Sequence, residues 1–378
     1  MKKTGLTGQK SKSFVLLIGE KSAPAVFAQK CGGLRVFYII LLLIVTVFTA
    51  CVTKEKKVIE ATQKQVASLV LPEFSADSAF KFVKEQCDFG PRVPNTKAHV
   101  ACGDYLISKM RQWSDTVYVQ AGIVKAFDGT NLRFRNVIAS FNPKAKSRIL
   151  FFAHWDTRPW ADQDTVDTDK PISGADDGAS GVAVLMEIAR VLNNCRVTKF
   201  CDSTNTKFCE STIGIDIAFF DAEDYGKSGG GPESEDSYAL GTQYWAKKPH
   251  VSNYTADFGI LLDMVGAKNA RFLKEGLSKQ QAGFVVDNVW SMANNLGYSG
   301  YFIYQDGGWI TDDHVYVNKI DIPSIDIINL QPGSKNGFAP HWHTHSDNID
   351  NIDPNTLKAV GQTLIGIIFQ KESIENGQ

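Results

Sequence analysis

Acidic and imidazole side chains cluster in five short loops, each of which follows an apolar stretch or precedes a helical one. They are His154-Trp155-Asp156, Gly174 to Gly181 (GADDGASG), Asp221 to Asp224 (DAED), Asp263 within LLDMVG, and Trp342-His343-Thr344. Any one loop alone fits an ordinary Asx turn or helix cap. A lone carboxylate in an apolar strand, such as Asp263, is costly unless it is paired or binds a cation. Histidine and carboxylate groups without a thiolate pair suit zinc in an open catalytic site, so the five loops together predict a metal site.

Alternating strand-like and helical segments must bring these loops together. The predicted strands cover residues 117–126, 133–141, 148–152, 212–220, 258–265 and 320–328, and the predicted helices 75–86, 97–113, 181–192, 279–295 and 353–370. This alternation predicts one α/β domain over residues 75–378, with a mixed, largely parallel central β-sheet sandwiched by helices. In open α/β sheets, ligands bind beyond the carboxyl ends of the strands, where the five loops would converge.

The order of these motifs resembles the zinc-dependent M28 peptidase and glutaminyl cyclase superfamily over roughly residues 75–372. The stretch HWDTRPWAD, His154 to Asp162, is similar to bacterial glutaminyl cyclases of the Bacteroidetes type. The D-D-H at Asp312 to His314 is similar to that of animal glutaminyl cyclases. The resemblance implies a zinc aminopeptidase-like fold.

The resemblance also assigns residues to a zinc site. It implies Asp177, Asp224 and His343 as ligands, with Asp224 replacing the commoner Glu. His154 and Asp263 match positions that bind a second zinc in two-metal aminopeptidases. The implied cofactor is therefore Zn²⁺, with one ion preferred and two as the alternative.

Catalytic and substrate-binding roles follow from the same resemblance. It implies Glu223 as the general acid/base, Asp263 and Asp312 as further catalytic carboxylates, and Trp342 as a pocket wall; Trp155 is a further candidate for substrate binding. The implied reaction converts the N-terminal Gln of peptides or proteins to pyroglutamate and releases ammonia. The alternative is a two-zinc aminopeptidase that releases N-terminal amino acids. A binding module without catalysis is the third hypothesis, and Glu223 beside a ligand argues against it.

The N-terminal segment has the pattern of an export signal. Residues 1–50 carry seven basic groups and one acidic group, and Val36 to Ala50 is an uncharged apolar run. Thr49-Ala50-Cys51 resembles a bacterial lipobox, in which Cys51 becomes the lipid anchor. An uncleaved membrane anchor is the alternative, and the natural start is expected near Leu34 or Val36. Residues 51–74 are interpreted as a tether, and the protein is expected to be an exported, membrane-anchored lipoprotein of the periplasm or cell envelope.

Charge and cysteine content narrow the remaining classes. The net charge of −1 divides into +6 for residues 1–50 and −7 for the rest, which gives no support for nucleic-acid binding. Seven Cys in 378 residues are too few for a disulfide scaffold. Pairing is open for Cys87 with Cys102, and for two of Cys195, Cys201 and Cys209.

Other titratable residues are expected to have structural roles. His314 is interpreted as orienting the adjacent carboxylates. Four other histidines are interpreted as lying at the surface or forming hydrogen bonds: His99, His250, His341 and His345. One loop carries four aspartates and is predicted to be exposed to solvent: Asp162, Asp164, Asp167 and Asp169. Calcium binding by this loop is the alternative.

Overall fold

The computed structural model describes residues 70–197 and 211–376, together with Phe37 and Ile40. Nearly all of the predicted export segment lies outside these residues, as do Cys51, most of the predicted tether, Cys201 and Cys209, and their interpretation stays a prediction. The described residues from Val70 onward belong to one compact unit. In the part of the chain that is described, no helix is both long and apolar enough to cross a membrane.

A six-stranded mixed sheet forms the centre of the fold. Its strands are β1 (Thr116–Lys125), β2 (Asn131–Phe141), β3 (Arg148–His154), β4 (Gly214–Phe220), β5 (Phe258–Asp263) and, later in the chain, β8 (Ser324–Ile328). The spatial order is β1-β2-β4-β3-β5-β8. Strands β4, β3, β5 and β8 run parallel, whereas β1 and β2 are antiparallel to their neighbours. The short strands β6 (Phe272–Lys274) and β7 (Phe302–Asp306) pair separately.

The apolar composition of the central strands explains their position. Every residue of β3, β4, β5 and β8 is buried, as expected for parallel strands covered on both faces. Strand β1 lies at the edge and alternates between exposed and half-buried residues over its second half. The predicted mixed, largely parallel sheet between helices is thus confirmed.

Helices cover both faces of this sheet. The described helices are α1 (Ala76–Cys87), α2 (Lys97–Trp113), α3 (Ala179–Val197), α4 (Pro232–Glu235), α5 (Leu240–Lys247), α6 (Gly276–Asn295), α7 (Asp313–Asn318) and α8 (Pro354–Glu375). Helices α1, α2, α3, α6 and α8 contribute to the larger apolar core. Trp245 of α5 and Val317 of α7 belong to a second core that includes Phe152 and Phe220.

Several boundaries differ from the sequence prediction for local reasons. The strand predicted from residue 320 begins only at Ser324, because the chain turns through Asp321, whose φ is 62°. The strand predicted to residue 265 ends at Asp263, before Met264 with φ of 48°. Helices α5 and α7 were not predicted, because each is too short to show a helical period. Residue Phe74, predicted in the tether, is fully buried, and its N–H donates to Gln362 Oε1.

The pairing considered for Cys87 and Cys102 is not formed. Both residues are free thiols, on helices α1 and α2. Cys87 interacts with Ser173, whereas Cys102 packs in the large core. Burial raises the pKa of the Cys102 thiol to about 12, which keeps it protonated.

Candidate metal and catalytic site

The five loops identified in the sequence meet at one edge of the sheet. His154 and Asp263 are the last residues of the parallel strands β3 and β5. The loop after β4 carries Glu223 and Asp224, and the loop before α3 carries Asp177. His343 lies between β8 and α8. The carboxyl ends of parallel strands therefore assemble side chains from distant parts of the chain.

Asp177, Asp224 and His343 form a buried cluster that has the donor set of a zinc site. His343 Nε2 lies 3.4 Å from Asp224 Oδ1 and 3.6 Å from Asp177 Oδ2. Tetrahedral zinc with bonds of about 2.0–2.2 Å places its ligand atoms roughly 3.3–3.6 Å apart. Asp224 Oδ2 is buried and has no hydrogen-bond partner among the described residues. The spacing and this unsatisfied oxygen both fit a bound cation.

A second buried cluster shares Asp177 with the first. His154 Nε2 lies 3.1 Å from Asp177 Oδ1 and 3.1 Å from Asp263 Oδ1. These separations are those of hydrogen bonds, and they are shorter than the spacing expected around zinc. His154, Asp177 and Asp263 are nevertheless close enough to hold an ion. The geometry of the first cluster is the closer match to zinc.

Two buried carboxylates hold the ligand loops by their backbone. Asp156 accepts hydrogen bonds from the N–H groups of Glu223 (3.0 Å) and Asp224 (3.2 Å). Asp347 accepts from Asp176 N–H (2.7 Å) and Asp177 N–H (3.1 Å). The sequence placed Asp156 in the His154-Trp155-Asp156 loop without assigning it a role, and it indicated no role for Asp347. Each carboxylate fixes two consecutive residues, which includes a candidate ligand.

Arg158 connects the candidate metal ligands to the neighbouring loop. Its buried guanidinium lies 3.3 Å from Asp224 Oδ1, and it donates to both oxygens of Asp162 and to Ser228 Oγ. Asp162 Oδ1 in turn lies 3.2 Å from His343 Nδ1. The prediction of a solvated loop is therefore wrong for Asp162. A carboxylate behind a histidine ligand orients the ring and raises its basicity.

Strained backbone conformations also occur at this edge. Ala222, Met264 and His343 have φ values of 55°, 48° and 55°, in the left-handed region that non-glycine residues seldom adopt. Ala222 precedes Glu223, and Met264 follows Asp263. Such conformations cluster at functional sites, where the surrounding structure holds them in place.

The three predicted catalytic carboxylates are buried beside the candidate ligands. Burial raises the pKa of Glu223 well above its ordinary value; His154 opposes this, and the Asp312 carboxylate adds to it. Burial likewise raises the pKa of Asp263 and of Asp312. The Asp312 charge is also among the causes of the raised Asp263 pKa. A carboxyl group with a raised pKa can both hold and release a proton near neutral pH.

A cavity of about 360 Å³ opens above these groups. The floor contains the carboxylates and His343, and the apolar wall includes Trp342 and Phe338, whose rings are 4.6 Å apart. Trp342 also stacks on His343 with a centroid distance of 3.8 Å. Trp309, which the sequence interpretation missed, also lines the cavity.

Trp155 lies away from this cavity, which corrects its predicted role in substrate binding. Its side chain is fully buried, and the indole N–H donates to the carbonyl of Arg135. The ring stacks on His99 with a centroid distance of 4.4 Å. His99 in turn forms a hydrogen bond with Asp221, so Trp155 packs against a buried, hydrogen-bonded pair.

The remaining histidines have other carboxylate or aromatic partners. His341 Nε2 lies 3.0 Å from Asp176 Oδ2, and His345 Nδ1 lies 3.0 Å from Asp164 Oδ2. His250 accepts from the indole N–H of Trp245. His314 was predicted to orient Asp312 and Asp313, but its Nε2 lies 3.4 Å from Glu275 Oε2.

Solved structures with the same architecture share close sequence similarity with this chain. A zinc-dependent exopeptidase from Parabacteroides distasonis is 52% identical, with a TM-score of 0.72, and the match covers 79% of this chain and 99% of that one. A glutaminyl cyclase from Bacteroides thetaiotaomicron, bound to N-acetylhistamine, is 50% identical, with a TM-score of 0.73 and the same coverage.

Fold, site and similarity together define an α/β protein of the kind found among zinc-dependent exopeptidases and glutaminyl cyclases. Residues 136–368 match the model of peptidase family M28, and the chain belongs to this family. The bovine glutaminyl-peptide cyclotransferase is 24% identical over 261 residues, which are 61% of this chain. The chain spans 64% of the length of that relative.

Proposed function

We propose that this protein is a glutaminyl-peptide cyclotransferase that acts on peptides or proteins with N-terminal Gln. The observation that carries the proposal is a set of three buried carboxyl groups, Glu223, Asp263 and Asp312, which line one small cavity together with the candidate zinc ligands. Cyclisation needs proton transfer between two nitrogen atoms of one substrate, and such groups supply it. Similarity to the bacterial glutaminyl cyclase supports this choice.

The cavity accommodates the N-terminal residue of the substrate. Its volume is at the small end of the range of about 300–1,000 Å³ for ligand sites, so it suits one residue better than an extended peptide. A zinc ion held by Asp177, Asp224 and His343 would polarise the γ-carbonyl as a Lewis acid. Trp342 and Phe338 would exclude water from the glutaminyl side chain.

Glu223 moves the proton that cyclisation requires. The substrate α-amine forms a bond to the γ-carbon of the same residue, and the bond from that carbon to the amide nitrogen breaks. Glu223 accepts a proton from the attacking amine and donates it to the leaving nitrogen, so the products are pyroglutamate and ammonia. Asp263 and Asp312 hold the two nitrogens. The substrate itself supplies the proximity of amine and carbonyl.

We propose one zinc ion per chain. The spacing around His343 matches tetrahedral zinc, whereas His154 lies at hydrogen-bond distance from Asp177 and Asp263. In this arrangement His154 positions Asp263, which stays available to the substrate. Two ions would instead make Asp263 a ligand, as the alternative aminopeptidase requires.

Replacement of Glu223 by Gln tests the proton-transfer role. The variant keeps the size of the side chain and removes the titrating group, so we expect a loss of cyclisation by about 10²–10⁴-fold. Zinc content, measured by elemental analysis, should not change, because Glu223 is not a ligand in this scheme. Glu73→Gln, which changes an exposed carboxylate paired with Lys358, is the control. Retention of full activity in Glu223→Gln would show that this assignment is wrong.

We further propose that the protein is exported and anchored to a membrane by a lipid on Cys51. The support is the basic segment, the apolar run at residues 36–50 and the Thr49-Ala50-Cys51 sequence. Cys51→Ala should abolish incorporation of labelled fatty acid and release the protein from the membrane fraction. Cys87→Ala, which changes a free thiol on helix α1, is the control. Unchanged labelling in Cys51→Ala would contradict the lipid anchor.

A further inference from the structure

Trp309 combines high exposure with a place in the cavity wall. Its side chain is 67% exposed, the highest value among the described large apolar residues. The same residue lines the cavity that contains the candidate metal ligands. Aromatic side chains that remain exposed at a binding site provide a large contact area for a ligand.

The backbone beneath Trp309 is fixed. Gly276 N–H donates to Gly308 O (2.8 Å), and Ile310 N–H donates to Glu275 Oε1 (2.9 Å). These bonds attach both neighbours of Trp309 to the start of helix α6. A Cβ at Gly276 would lie 2.7 Å from Trp309 Cδ2, so the indole packs directly against the backbone of this glycine. The ring therefore packs against the backbone on one side, while most of its surface is exposed to solvent.

The cavity indicates which part of a bound peptide would contact the Trp309 ring. The buried carboxylates and His343 form its floor, whereas the exposed Trp309 lies nearer to solvent. The next residue of a peptide must then leave the floor and lie near the mouth. Trp309 lines that path, together with Ile310 and Gly230.

We infer that Trp309 forms a subsite for the second residue of the substrate and favours apolar or aromatic side chains there. This inference rests on the proposed cyclotransferase function, because it assumes that the N-terminal residue occupies the floor. Contact between the indole and an aromatic side chain would lower KM for peptides that carry Phe at the second position. A substrate without a second residue, such as glutaminamide, would not gain from this contact.

The test compares Gln-Phe peptides with glutaminamide in wild-type enzyme, Trp309→Ala, Trp309→Phe and Phe284→Ala. The ratio of the two kcat/KM values should fall about three- to tenfold in Trp309→Ala, mainly through KM, and should largely recover in Trp309→Phe. Phe284→Ala is the matched control, since Phe284 is 62% exposed and does not line the cavity. It should keep the wild-type ratio.

Binding measured without turnover separates a contact from an indirect effect. In the Glu223→Gln background, Trp309→Ala should weaken calorimetric binding of a Gln-Phe peptide by a similar factor and leave a Gln-Gly peptide nearly unaffected. An equal loss of kcat/KM for both substrates, or an unchanged ratio, would overturn the subsite. If the zinc-loaded wild-type enzyme released ammonia from neither substrate, the proposed function would fail, and the subsite with it.

Discussion

At the scale of single residues, the candidate ligands are held by groups that would not themselves contact the metal. Asp156 and Asp347 each accept two consecutive backbone N–H groups, and Asp162 lies against the ring of His343. The ligand loops therefore owe their conformation to buried carboxylates of the protein.

Asp156→Asn should weaken zinc binding about 10–100-fold, the usual cost of losing a group that orients ligands. The amide keeps one acceptor oxygen, so the N–H of either Glu223 or Asp224 loses its partner. Competition with a chromophoric chelator measures the affinity. Asp287→Asn changes an exposed carboxylate bound to Lys274 and should have the wild-type affinity. Equal affinities for all three proteins would contradict the positioning role of Asp156.

The sequence identified the candidate metal ligands better than the residues that hold those ligands in place. His154, Asp177, Asp224, Asp263 and His343 lie beside apolar or helical stretches in a recognisable order, and the structure brings them together. Asp162 ends a motif stretch but was assigned to a solvated acidic loop, and Asp347 occurs in a polar segment without periodicity, where a carboxylate normally has no special role. Trp155 occurs in the motif loop, but its side chain points into the core. Only the tertiary contacts show which of these side chains belong to the site and which pack in the core.

At the scale of elements, the ligand loop before helix α3 depends on the close approach of that helix to strand β5. A Cβ at Gly181 would lie 2.2 Å from the carbonyl oxygen of Leu262. Leu262 precedes Asp263, and Ser180 Oγ accepts from Val265 N–H (3.0 Å). Glycine at this position therefore sets the distance between two site loops.

Gly181→Ala should destabilise the protein by about 1–3 kcal/mol, because the methyl group forces helix α3 away from β5. It should also weaken zinc binding, since Asp177 and Asp263 move apart. Gly283→Ala in helix α6 is the matched control, because no atom lies within 4 Å of its added Cβ. That variant should be neutral or up to about 1 kcal/mol more stable. Urea unfolding gives both values, and equal stability of Gly181→Ala and the wild type would contradict this packing argument.

Element prediction succeeded where apolar segments were long and failed where they were short. Strands β3, β4 and β5 and helices α2 and α8 follow from their composition and spacing. Strands β6 and β7, of three and five residues, could not be distinguished from loops. Their pairing depends on packing between Phe272 and Phe302, which local sequence does not show.

At the scale of the whole molecule, charged groups are buried at both ends of the sheet. Opposite the candidate active site, Arg148 forms two bonds of 2.7 Å with Asp216, and Tyr254 donates to the same carboxylate. His250 lies beside them and accepts from the indole N–H of Trp245 at 3.1 Å. Burial lowers the pKa of His250 to about 4.

The lowered pKa of His250 makes stability depend on pH. In the unfolded chain the imidazole titrates near 6.5, so between pH 6.5 and 4 the unfolded state binds more protons than the folded state. The stabilisation that His250 gives to the folded state is complete above pH 6.5 and is lost as the pH falls towards 4. His250→Gln keeps an acceptor for Trp245 and does not titrate. In metal-free protein, the stability advantage of wild type over this variant should decrease by about 1–3 kcal/mol over that range. A constant difference in urea unfolding would contradict the assignment.

The central claim, glutaminyl cyclisation at a zinc site, is tested most directly by the identity of the product. Zinc-loaded protein should convert a Gln-initiated peptide to a product lighter by the mass of ammonia, with a blocked N-terminus and release of one ammonia per peptide. A chelator should stop the reaction, and added zinc should restore it. Release of free N-terminal amino acid without pyroglutamate would contradict the claim and indicate the aminopeptidase instead.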